Sequence, residues 1–390
     1  MSSATRAAAR TAPTPATTSA TAPVPAGTAP VEPHEAPAAP RPRAATPAAS
    51  FYDDGMAHAA ALVPADDDFL LLWHHLRDAA TGGKGTRPRL LALTYRALGG
   101  TDHALAAHVG DAIELLHTAF LVHDDVIDHD TTRRGRPNVS GAFAARTLDA
   151  GAGPHEAATM GNAAGILAGD LALVGAIAAV ARTPSPPHVV AALLDLVESA
   201  VRVTAAGELA DVRLSLGTGY PDLGEVLTME ERKTAVYSFV LPMQAAAILV
   251  GTRSSLATLT ALELMGHHLG AAFQLQDDLI GTFGDPARTG KSALSDLREG
   301  KCTPLVAHAR TTAAWPVVAA HLGDPALTEA GADTVRAALE AHGSRAFVES
   351  LVRDHLSAAR ALARAAGLPA DLADLLGTDW PVPETMARAA

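Results

Sequence analysis

The sequence predicts an all-α fold, a large bundle of helices. Hydrophobic residues make up 48% of its 390 residues and charged residues 18%, so the chain can bury a sizeable core. Beyond residue 60, apolar residues recur at three- and four-residue spacing, which is typical of helices. Short Gly and Pro clusters interrupt this pattern, and no stretch alternates between apolar and polar residues as a half-buried strand would.

The amino-terminal segment has a different composition from the rest of the chain. Residues 1–50 are almost entirely Ala, Pro, Thr and Ser. Such residues bury too little surface to offset the entropy lost on ordering, and the many prolines prevent a regular hydrogen-bonded structure. We therefore expect a disordered tail over 1–50 and one helical domain over 51–390.

Within that domain, each predicted helix is an apolar-periodic run bounded by Gly, Pro or polar clusters. Five of the helices exceed twenty residues, and several of these are apolar on more than one face, as central helices of a bundle are. In chain order the predicted helices cover residues 67–80, 87–98, 104–128, 157–181, 187–216, 223–232, 234–250, 255–283, 333–342 and 344–366.

Charge and cysteine content exclude several classes of protein. Lys plus Arg number 30 and Asp plus Glu 42, giving a net charge of −12, which is the wrong sign for a general nucleic-acid binder. The single cysteine, Cys302, excludes a disulfide framework and a thiolate-rich zinc site. These features favour a cytoplasmic protein.

The longest apolar runs are expected to be buried helices of a protein that does not span a membrane. Asp170 interrupts the run 161–181. The run 235–250 contains Pro242 and Gln244 and falls short of the roughly 20 residues that a span needs. The amino end also lacks the continuous apolar core of a secretory signal.

A first acidic cluster, 123–128, ends a long apolar helix with the sequence His-Asp-Asp-Val-Ile-Asp. Asp124 and Asp128 lie one helical turn apart on the same face, with Asp125 beside them. Carboxylates so placed repel each other unless a cation lies between them. Oxygen ligands at this spacing suit Mg²⁺, which binds through one or two carboxylates, water and substrate phosphates. A solvated acidic helix end is the alternative interpretation.

A second acidic cluster, Asp277 and Asp278, follows another apolar helical run. Two acidic helix ends facing each other across a cavity would hold divalent ions around a diphosphate. A charged helix terminus with no ligand is the alternative.

Basic residues flank both clusters in short loops. Lysine and arginine in the glycine-rich turn 82–88 precede a helix, whose amino end already favours an anion. Each basic residue alone is more often a surface charge, but together they predict a diphosphate site. His117, two turns before Asp124, would donate to a phosphate or be a core histidine. The basic residues are Lys84, Arg87, Arg133, Arg134, Lys233, Lys291 and Lys301.

These motifs, over roughly residues 60–310, resemble the trans-isoprenyl diphosphate synthase (polyprenyl synthetase) family. The matching segments are Gly82-Gly83-Lys84 with Arg87-Pro88, Asp124 to Asp128, Thr132 to Pro137, Gly207-Glu208 with Asp211, Lys233-Thr234 with Tyr237, Phe273-Gln274 with Asp277-Asp278, and Gly284 to Lys291 with Asp296 and Lys301. At position 208, glutamate replaces the family's glutamine.

The resemblance implies an isoprenoid-synthase-type bundle around a central apolar cavity, usually in a homodimer. It implies a prenyltransferase that condenses isopentenyl diphosphate with an allylic diphosphate. The residues that would hold isopentenyl diphosphate are Lys84, Arg87, His117 and Arg134. Those that would bind about three Mg²⁺ with the allylic diphosphate are Asp124, Asp128 and Asp277, supported by Arg133, Lys233, Lys291 and Lys301. Thr234 and Gln274 would lie near the reacting carbons, and Asp211 near the metals.

One departure from the family pattern is Gly281, which replaces the third aspartate of the second motif. Because the first position of that motif, Asp277, is the usual ligand, we expect activity to survive with altered metal affinity.

Product length depends on the residues one turn before Asp124. Ala119 is small and leaves room for a growing chain, whereas the bulky Phe120 limits it. The run 117–125 and Arg136 to Gly141 resemble bacterial geranylgeranyl diphosphate synthases. A C20 product is therefore preferred, with C15 farnesyl diphosphate as the alternative.

Two readings of another kind stay open. A class I terpene cyclase also carries an aspartate-rich helix, but it needs no isopentenyl site such as Lys84 and Arg87 provide. A non-catalytic subunit of a heteromeric synthase would keep the fold and lose ligands, whereas nearly all ligands are present here.

Overall fold

The structure is a computed structural model that describes residues 47–62, 67–216, 219, 221–251, 256–284, 294–369 and 372. All of these belong to one unit that spans residues 45–390. The predicted tail lies outside the described residues except for 47–50, which form the first turn of a helix. Lys291 lies outside the described residues as well.

The described chain is almost entirely helical, which confirms the predicted all-α class. A long helix from Leu223 to Val250 contains a central π-helical segment, Glu231–Val240. In chain order the helices are α1 (Pro47–Leu62), α2 (Asp67–Ala79), α3 (Thr86–Ala97), α4 (His103–Ile127), α5 (Val139–Asp149), α6 (Pro154–Ala181), α7 (Pro187–Ser215), α8 (Leu223–Glu230), the π-helical segment, α9 (Leu241–Val250), α10 (Leu256–Phe283), α11 (Ser295–Glu299), α12 (Pro304–Ala309), α13 (Trp315–Ala319), α14 (Glu329–Ala341) and α15 (Ser344–Ala365).

Most predicted helices are present within a few residues of their expected bounds. The predictions missed α1, α5 and the short helices α11 to α13, and they missed a two-stranded hairpin, β1 (Thr132–Arg133) with β2 (Arg136–Pro137). Helix α1 follows the Ala-rich tail and shares much of its composition. The hairpin has only two residues per strand, too few to show a period.

Helix α4, which ends in the first acidic cluster, is buried along most of its length. Ile113, Leu115, Leu116 and Val122 are each only 1% exposed. Its closest neighbour is α6, because α6 presents glycine where α4 approaches. A Cβ atom at Gly169 would lie 2.2 Å from Nε2 of His123. The small residues of α6 therefore let the acidic end of α4 pack tightly against a fixed support.

The π-helical segment is held between α7 and α10 by two further glycines. A Cβ atom at Gly207 on α7 would lie 2.3 Å from the backbone nitrogen of Lys233, and one at Gly270 on α10 would lie 2.3 Å from Cβ of Ala235. Both approaches are too close for any larger residue. Short π-helical stretches occur often at functional sites, and this one carries the predicted residues Lys233 and Thr234.

Helix α10, which ends in the second acidic cluster, packs against α15. Leu262, Met265 and Leu269 on α10 and Ala359 and Ala363 on α15 are fully buried in a shared core. This packing fixes the direction of α10 independently of the site at its carboxyl end.

Three helices are long and apolar enough to cross a membrane by length and composition: His103–Ile127, Pro154–Ala181 and Leu223–Val250. The expectation that no segment would meet those criteria is therefore wrong. The most apolar window, within Pro154–Ala181, has a mean hydropathy of 2.0 despite Asp170, and half of it is buried inside the protein. Their burial is consistent with the interpretation of these segments as core helices.

Candidate active site

The first acidic cluster gains a member from another helix. Carboxylate oxygens of Asp124 and Asp128 at the end of α4 and of Glu208 on α7 all lie within 4.8 Å of one another. Burial raises the pKa of Asp128, and the Asp124 carboxylate beside it adds to this effect. Burial also raises the pKa of Glu208, to about 7, despite the opposing charge of Lys233. Three carboxylates so close together need positive charge among them.

Lys233 supplies part of that charge. Its Nζ lies 3.3 Å from Oδ1 of Asp124, 3.1 Å from Glu208 and 2.7 Å from Oδ2 of Asp211. Burial lowers the pKa of Lys233, but the three carboxylates outweigh burial and hold its pKa above the ordinary value. The ammonium therefore stays charged and links the end of α4 to α7.

Arg133 fixes the other side of the cluster. Its guanidinium donates from Nε to Oδ1 of Asp125 over 2.7 Å and also contacts Asp124, with Nη2 3.3 Å from Oδ2. Asp125 is buried, which raises its pKa to about 6 against the lowering effect of Arg133. Asp125 is thus committed to Arg133, whereas Asp124 and Asp128 face the shared cluster.

The turn between β1 and β2 brings the chain back toward the glycine-rich loop 82–85. Arg134 and Gly135 occupy its two central positions, with φ of 54° and 72°, the pattern of a type I′ turn. Glycine meets this requirement without strain, whereas Arg134 adopts a backbone conformation rare for a side-chain-bearing residue. Arg134 donates to the carbonyl oxygen of Thr81, next to the loop 82–85.

The predicted basic residues of the isopentenyl site are partly brought together. His117 is half-buried, and burial followed by the charges of Arg87, Arg133 and Arg134 holds its pKa well below the usual range. A neutral His117 can donate or accept, as a phosphate ligand requires. Lys84 is exposed in the turn just before α3.

Arg87 is oriented by the π-helical segment. It donates to the hydroxyl oxygens of Tyr237 over 3.1 Å and of Ser238 over 2.8 Å. Its guanidinium carbon also lies 4.8 Å from the centre of the Tyr237 ring. The Tyr237 hydroxyl is in turn 3.4 Å from Nδ1 of His117. One segment therefore contacts the acidic cluster through Lys233 and the basic group through Tyr237.

A half-buried acid that sequence reasoning missed, Glu114 on α4, lies near these basic residues. Burial raises the pKa of Glu114, while the charges of Arg87 and Arg134 lower it. A Cβ atom at Gly83 would lie 3.5 Å from Oε1 of Glu114, so this carboxyl is close to the glycine-rich loop. The only sign of it in the sequence was an acid three residues before His117 on an otherwise apolar helix.

The second acidic cluster contains one half-buried and one fully buried carboxyl. Asp277 is half-buried, whereas Asp278 is 6% exposed and accepts a hydrogen bond from Nε2 of Gln274 over 3.2 Å. Burial raises the pKa of Asp278 and of its neighbour Glu230. Asp278 raises the pKa of Glu230 further, whereas a hydrogen bond with Glu230 lowers that of Asp278. Gln274 is thus bonded within its own helix. Glu230 was not predicted.

Lys301 interacts with Asp296 on α11 and with Asp128 of the first acidic cluster. Its Nζ is 3.8 Å from Oδ1 of Asp296, and Asp296 in turn raises the pKa of Asp278. On the other side, Asp128 interacts electrostatically with Lys301 and helps to raise its pKa. Lys301 is thus linked to the first cluster through Asp128, and to Asp278 of the second cluster only through Asp296.

The predicted chain-length residues behave differently. Ala119 is completely buried and borders no water-sized space. Phe120 is half-buried and packs edge-on against Tyr237, with ring centres 4.9 Å apart. Of the two, only Phe120 adjoins accessible space. Thr234 is half-buried on the π-helical segment next to Lys233.

These residues fit a divalent oxygen-preferring cation. The donors of the first cluster are all carboxylates, which suit Mg²⁺ better than a softer metal. Glu208 is the ligand candidate that sequence reasoning did not assign, although the replacement of glutamine at this position was visible. What the sequence did not reveal is that α7 passes within contact distance of α4 at this point.

Comparison with known proteins agrees with this geometry. Residues 72–330 match the family model described as polyprenyl synthetase. The chain is 34% identical over 305 residues to the (2E,6E)-farnesyl diphosphate synthase of Mycobacterium tuberculosis, covering 75% of this chain and 78% of that protein. It is 32% identical to the geranylgeranyl diphosphate synthase of the same organism, covering 74% and 77%.

Among solved structures, a geranylgeranyl pyrophosphate synthase from Corynebacterium glutamicum, complexed with isoprenyl diphosphate and magnesium, superposes with a TM-score of 0.75. It is 27% identical in sequence, and the match covers 85% of this chain and 94% of that one. A polyprenyl synthase from Caulobacter crescentus, complexed with calcium and isoprenyl diphosphate, gives a TM-score of 0.63 at 28% identity, covering 86% and 96%.

Proposed function

The chain belongs to the polyprenyl synthetase family and is a short-chain prenyl diphosphate synthase, and we propose that its main product is geranylgeranyl diphosphate (C20). The observation that carries the mechanism is the placement of Lys233 and Tyr237 on one π-helical segment. Lys233 contacts the acidic cluster, and Tyr237 contacts Arg87 and His117. Two groups suited to two diphosphates are thereby held side by side.

The first group would bind the allylic diphosphate. Asp124, Asp128 and Asp277 are the residues that would hold Mg²⁺, which supplies positive charge to the diphosphate when bound. Arg133, Lys233 and Lys301 place further positive charge around the same region. This charge stabilises the pyrophosphate as its bond to the allylic carbon breaks.

The second group would bind isopentenyl diphosphate. Arg87 and Arg134 provide planar donors that match phosphate oxygens, and Lys84 adds a point charge from the loop. Neutral His117 contributes a hydrogen bond without adding repulsion to the arginines. The nearby Glu114 would offset part of their positive charge.

Condensation then joins the two substrates. The allylic C–O bond breaks, and its electron pair leaves with pyrophosphate. The double bond of isopentenyl diphosphate attacks the allylic carbon, a new C–C bond forms, and a proton is lost, which the released pyrophosphate accepts. Thr234 and Gln274 would position the reacting carbons. No side chain needs to act as a nucleophile.

Product length would be limited by Phe120 where it packs against Tyr237. Phe120 lies one helical turn before Asp124 on α4, where a chain growing away from the first cluster would meet its ring. Incubation of the purified protein with labelled isopentenyl diphosphate and dimethylallyl, geranyl or farnesyl diphosphate, followed by sizing, tests this. The proposal expects farnesyl diphosphate to be extended once to C20, and products that stop at C15 would contradict it.

Farnesyl diphosphate synthase activity is the second candidate. It is supported by the relative at 34% identity, which carries that name. The same assay separates the two, because a C15 enzyme would use geranyl diphosphate and leave farnesyl diphosphate unchanged. The terpene cyclase interpretation would instead predict consumption of an allylic diphosphate without isopentenyl diphosphate.

The chain is further proposed to act as a cytoplasmic homodimer. Four large apolar residues on one side of α6 are unusually exposed, namely Ile166 at 47%, Leu167 at 56%, Val174 at 65% and Ile177 at 43%. Their spacing places them within one helical face. A second copy of this chain would bury that face. Sedimentation of the wild type and of Val174→Asp tests this, since the variant should sediment as a monomer.

A further inference from the structure

The carboxylate of Glu208 does not belong to either aspartate-rich motif, yet it lies in the first acidic cluster. Its oxygens are within 4.8 Å of oxygens of both Asp124 and Asp128. We propose that Glu208 is a third carboxylate ligand of the divalent cation held by Asp124 and Asp128. The inference rests on the proposed function, because it concerns the metal that the synthase would use.

The charge at this position distinguishes Glu208 from the glutamine that the family pattern has there. An amide oxygen is a neutral donor, whereas a carboxylate adds a full negative charge and a second oxygen. Hard cations with oxygen ligands gain affinity as the number of charged ligands rises. The exchange therefore strengthens cation binding at the first cluster, and it does so before a diphosphate arrives.

Lys233 shows that this group of oxygens already accepts a cation. Its ammonium contacts Asp124 over 3.3 Å and Glu208 over 3.1 Å, so one positive charge lies between carboxylates from α4 and α7. Lys233 also has Asp211, its nearest partner at 2.7 Å. A divalent ion at Asp124 and Glu208 would leave Lys233 paired to Asp211 and available to the diphosphate.

The backbone fixes Glu208 in this place. Gly207 lets α7 approach the π-helical segment so closely that a Cβ atom there would lie 2.3 Å from the backbone nitrogen of Lys233. Glu208 follows immediately on the same helix, and its side chain is only 19% exposed. Its carboxylate is thus directed into the cluster by close helix packing and not by chance on a mobile surface.

Asp211 provides the contrast that isolates the role of Glu208. Both acids bond to Lys233 from one turn of α7, but among the described residues only Glu208 joins the group of three carboxylates. A residue that merely neutralises Lys233 would act through charge. A ligand would in addition exclude water from the ion. Glu208→Gln and Asp211→Asn each remove one charge beside Lys233, so they form a matched pair.

The experiment measures ion hydration directly. Full-length protein carrying Asp277→Asn, which removes the second cluster, is titrated with Tb³⁺. Luminescence lifetimes in H₂O and D₂O give the number of water molecules on the bound ion. Mn²⁺ affinity is measured in parallel from the electron paramagnetic resonance of the free ion. Asp124→Asn should abolish both signals, which verifies that they report the first cluster.

In the Glu208→Gln variant we expect at least about tenfold weaker Mn²⁺ binding and about one or two additional waters on Tb³⁺. Asp211→Asn should change affinity without changing hydration, and Glu208→Asp should fall between. Hydration of Glu208→Gln equal to that of its Asp277→Asn parent would overturn the proposal. Prenyl transfer by the wild type is assayed separately. An inactive protein that shows the expected hydration change would refute the synthase activity but would still support Glu208 as a ligand of the cation.

Discussion

A Cβ atom at Gly281 would lie 2.1 Å from Oδ2 of Asp296. Asp296, on α11, therefore places its carboxylate in the space that any side chain at 281 would need. The sequence lacks the family's third aspartate at this position, and the carboxylate of Asp296 lies directly beside it. The carboxylate of Asp296 on α11 thus occupies the position beside residue 281, where α10 has no acidic side chain.

Gly281→Ala should therefore disturb Asp296 and the adjacent Lys301. Because the Cβ atom would overlap the carboxylate, we expect a loss of about 1–3 kcal/mol in the free energy of unfolding. Chemical denaturation of the variant measures this. Asp296→Ala in the same background removes the overlapping group, so the double variant should lose less stability than the two single changes together. Additive losses would contradict the contact.

Gly207→Ala should separate α7 from the π-helical segment. The added methyl group would lie 2.3 Å from a backbone nitrogen, which a rotamer change cannot relieve. We expect a loss of about 1–3 kcal/mol in stability and a larger proportional loss in turnover, since Glu208 moves away from Lys233. Gly224→Ala is a suitable control, because its nearest neighbour would be at 3.3 Å and is a side-chain oxygen. Equal effects of the two changes would contradict this account.

Phe120→Ala should lengthen the products. The change removes the ring that packs on Tyr237 with centres 4.9 Å apart, so a growing chain can pass the turn before Asp124. We expect products beyond C20 from farnesyl diphosphate, detected by chromatographic sizing. Ala119→Ser is the matched comparison, since Ala119 borders no open space and should leave the distribution unchanged. An unchanged distribution for Phe120→Ala would refute this role for the ring.

Acid should destabilise the protein through the pair His268 and His355. Their Nδ1 atoms are 2.9 Å apart. Burial lowers the pKa of each, the charge of His268 lowers that of His355 further, and Glu231 opposes the lowering for both. His267 adds to the lowering at His268, and Asp354 opposes it at His355.

Because the folded pKa of each histidine is below the unfolded value near 6.5, the unfolded chain binds more protons at low pH. Stability should then fall as pH decreases through about 6.5. The double variant His268→Asn/His355→Asn should lose less stability between pH 7 and 5 than the wild type, as measured by urea denaturation. The exposed His342→Asn is the control. Parallel pH profiles for wild type and double variant would contradict the prediction.

The sequence alone was sufficient for the long helices and for most residues of the site. Helices α4 and α10 have enough apolar turns to show their period, and their acidic ends are consecutive residues. Asp124 and Asp128 could be placed on one face because helical geometry is local. The hairpin with Arg133 and Arg134 was not predicted as a strand pair. Arg133 contacts Asp124 and Asp125 of the first cluster, whereas Arg134 contacts the carbonyl oxygen of Thr81.

Contacts between distant segments could not be predicted in the same way. Glu208 and Asp124 lie on different helices and both contact Lys233, which Gly207 brings close to α7. Glu230 on α8 interacts with Asp278 on α10. No local sequence pattern predicts that pairing. Helix α1 was not predicted because its apolar content resembles that of the preceding tail. In the structure its residue Tyr52 is buried against the core.

Whether this chain catalyses prenyl transfer is tested by measuring pyrophosphate release. Isopentenyl diphosphate and farnesyl diphosphate are mixed with the purified protein, and Mg²⁺ is titrated. The account predicts release only with both substrates and the metal present, and a loss of about 10²–10³-fold in turnover for Asp124→Asn and for Asp277→Asn. No release by the wild type at any Mg²⁺ concentration, or an undiminished rate in either variant, would contradict it.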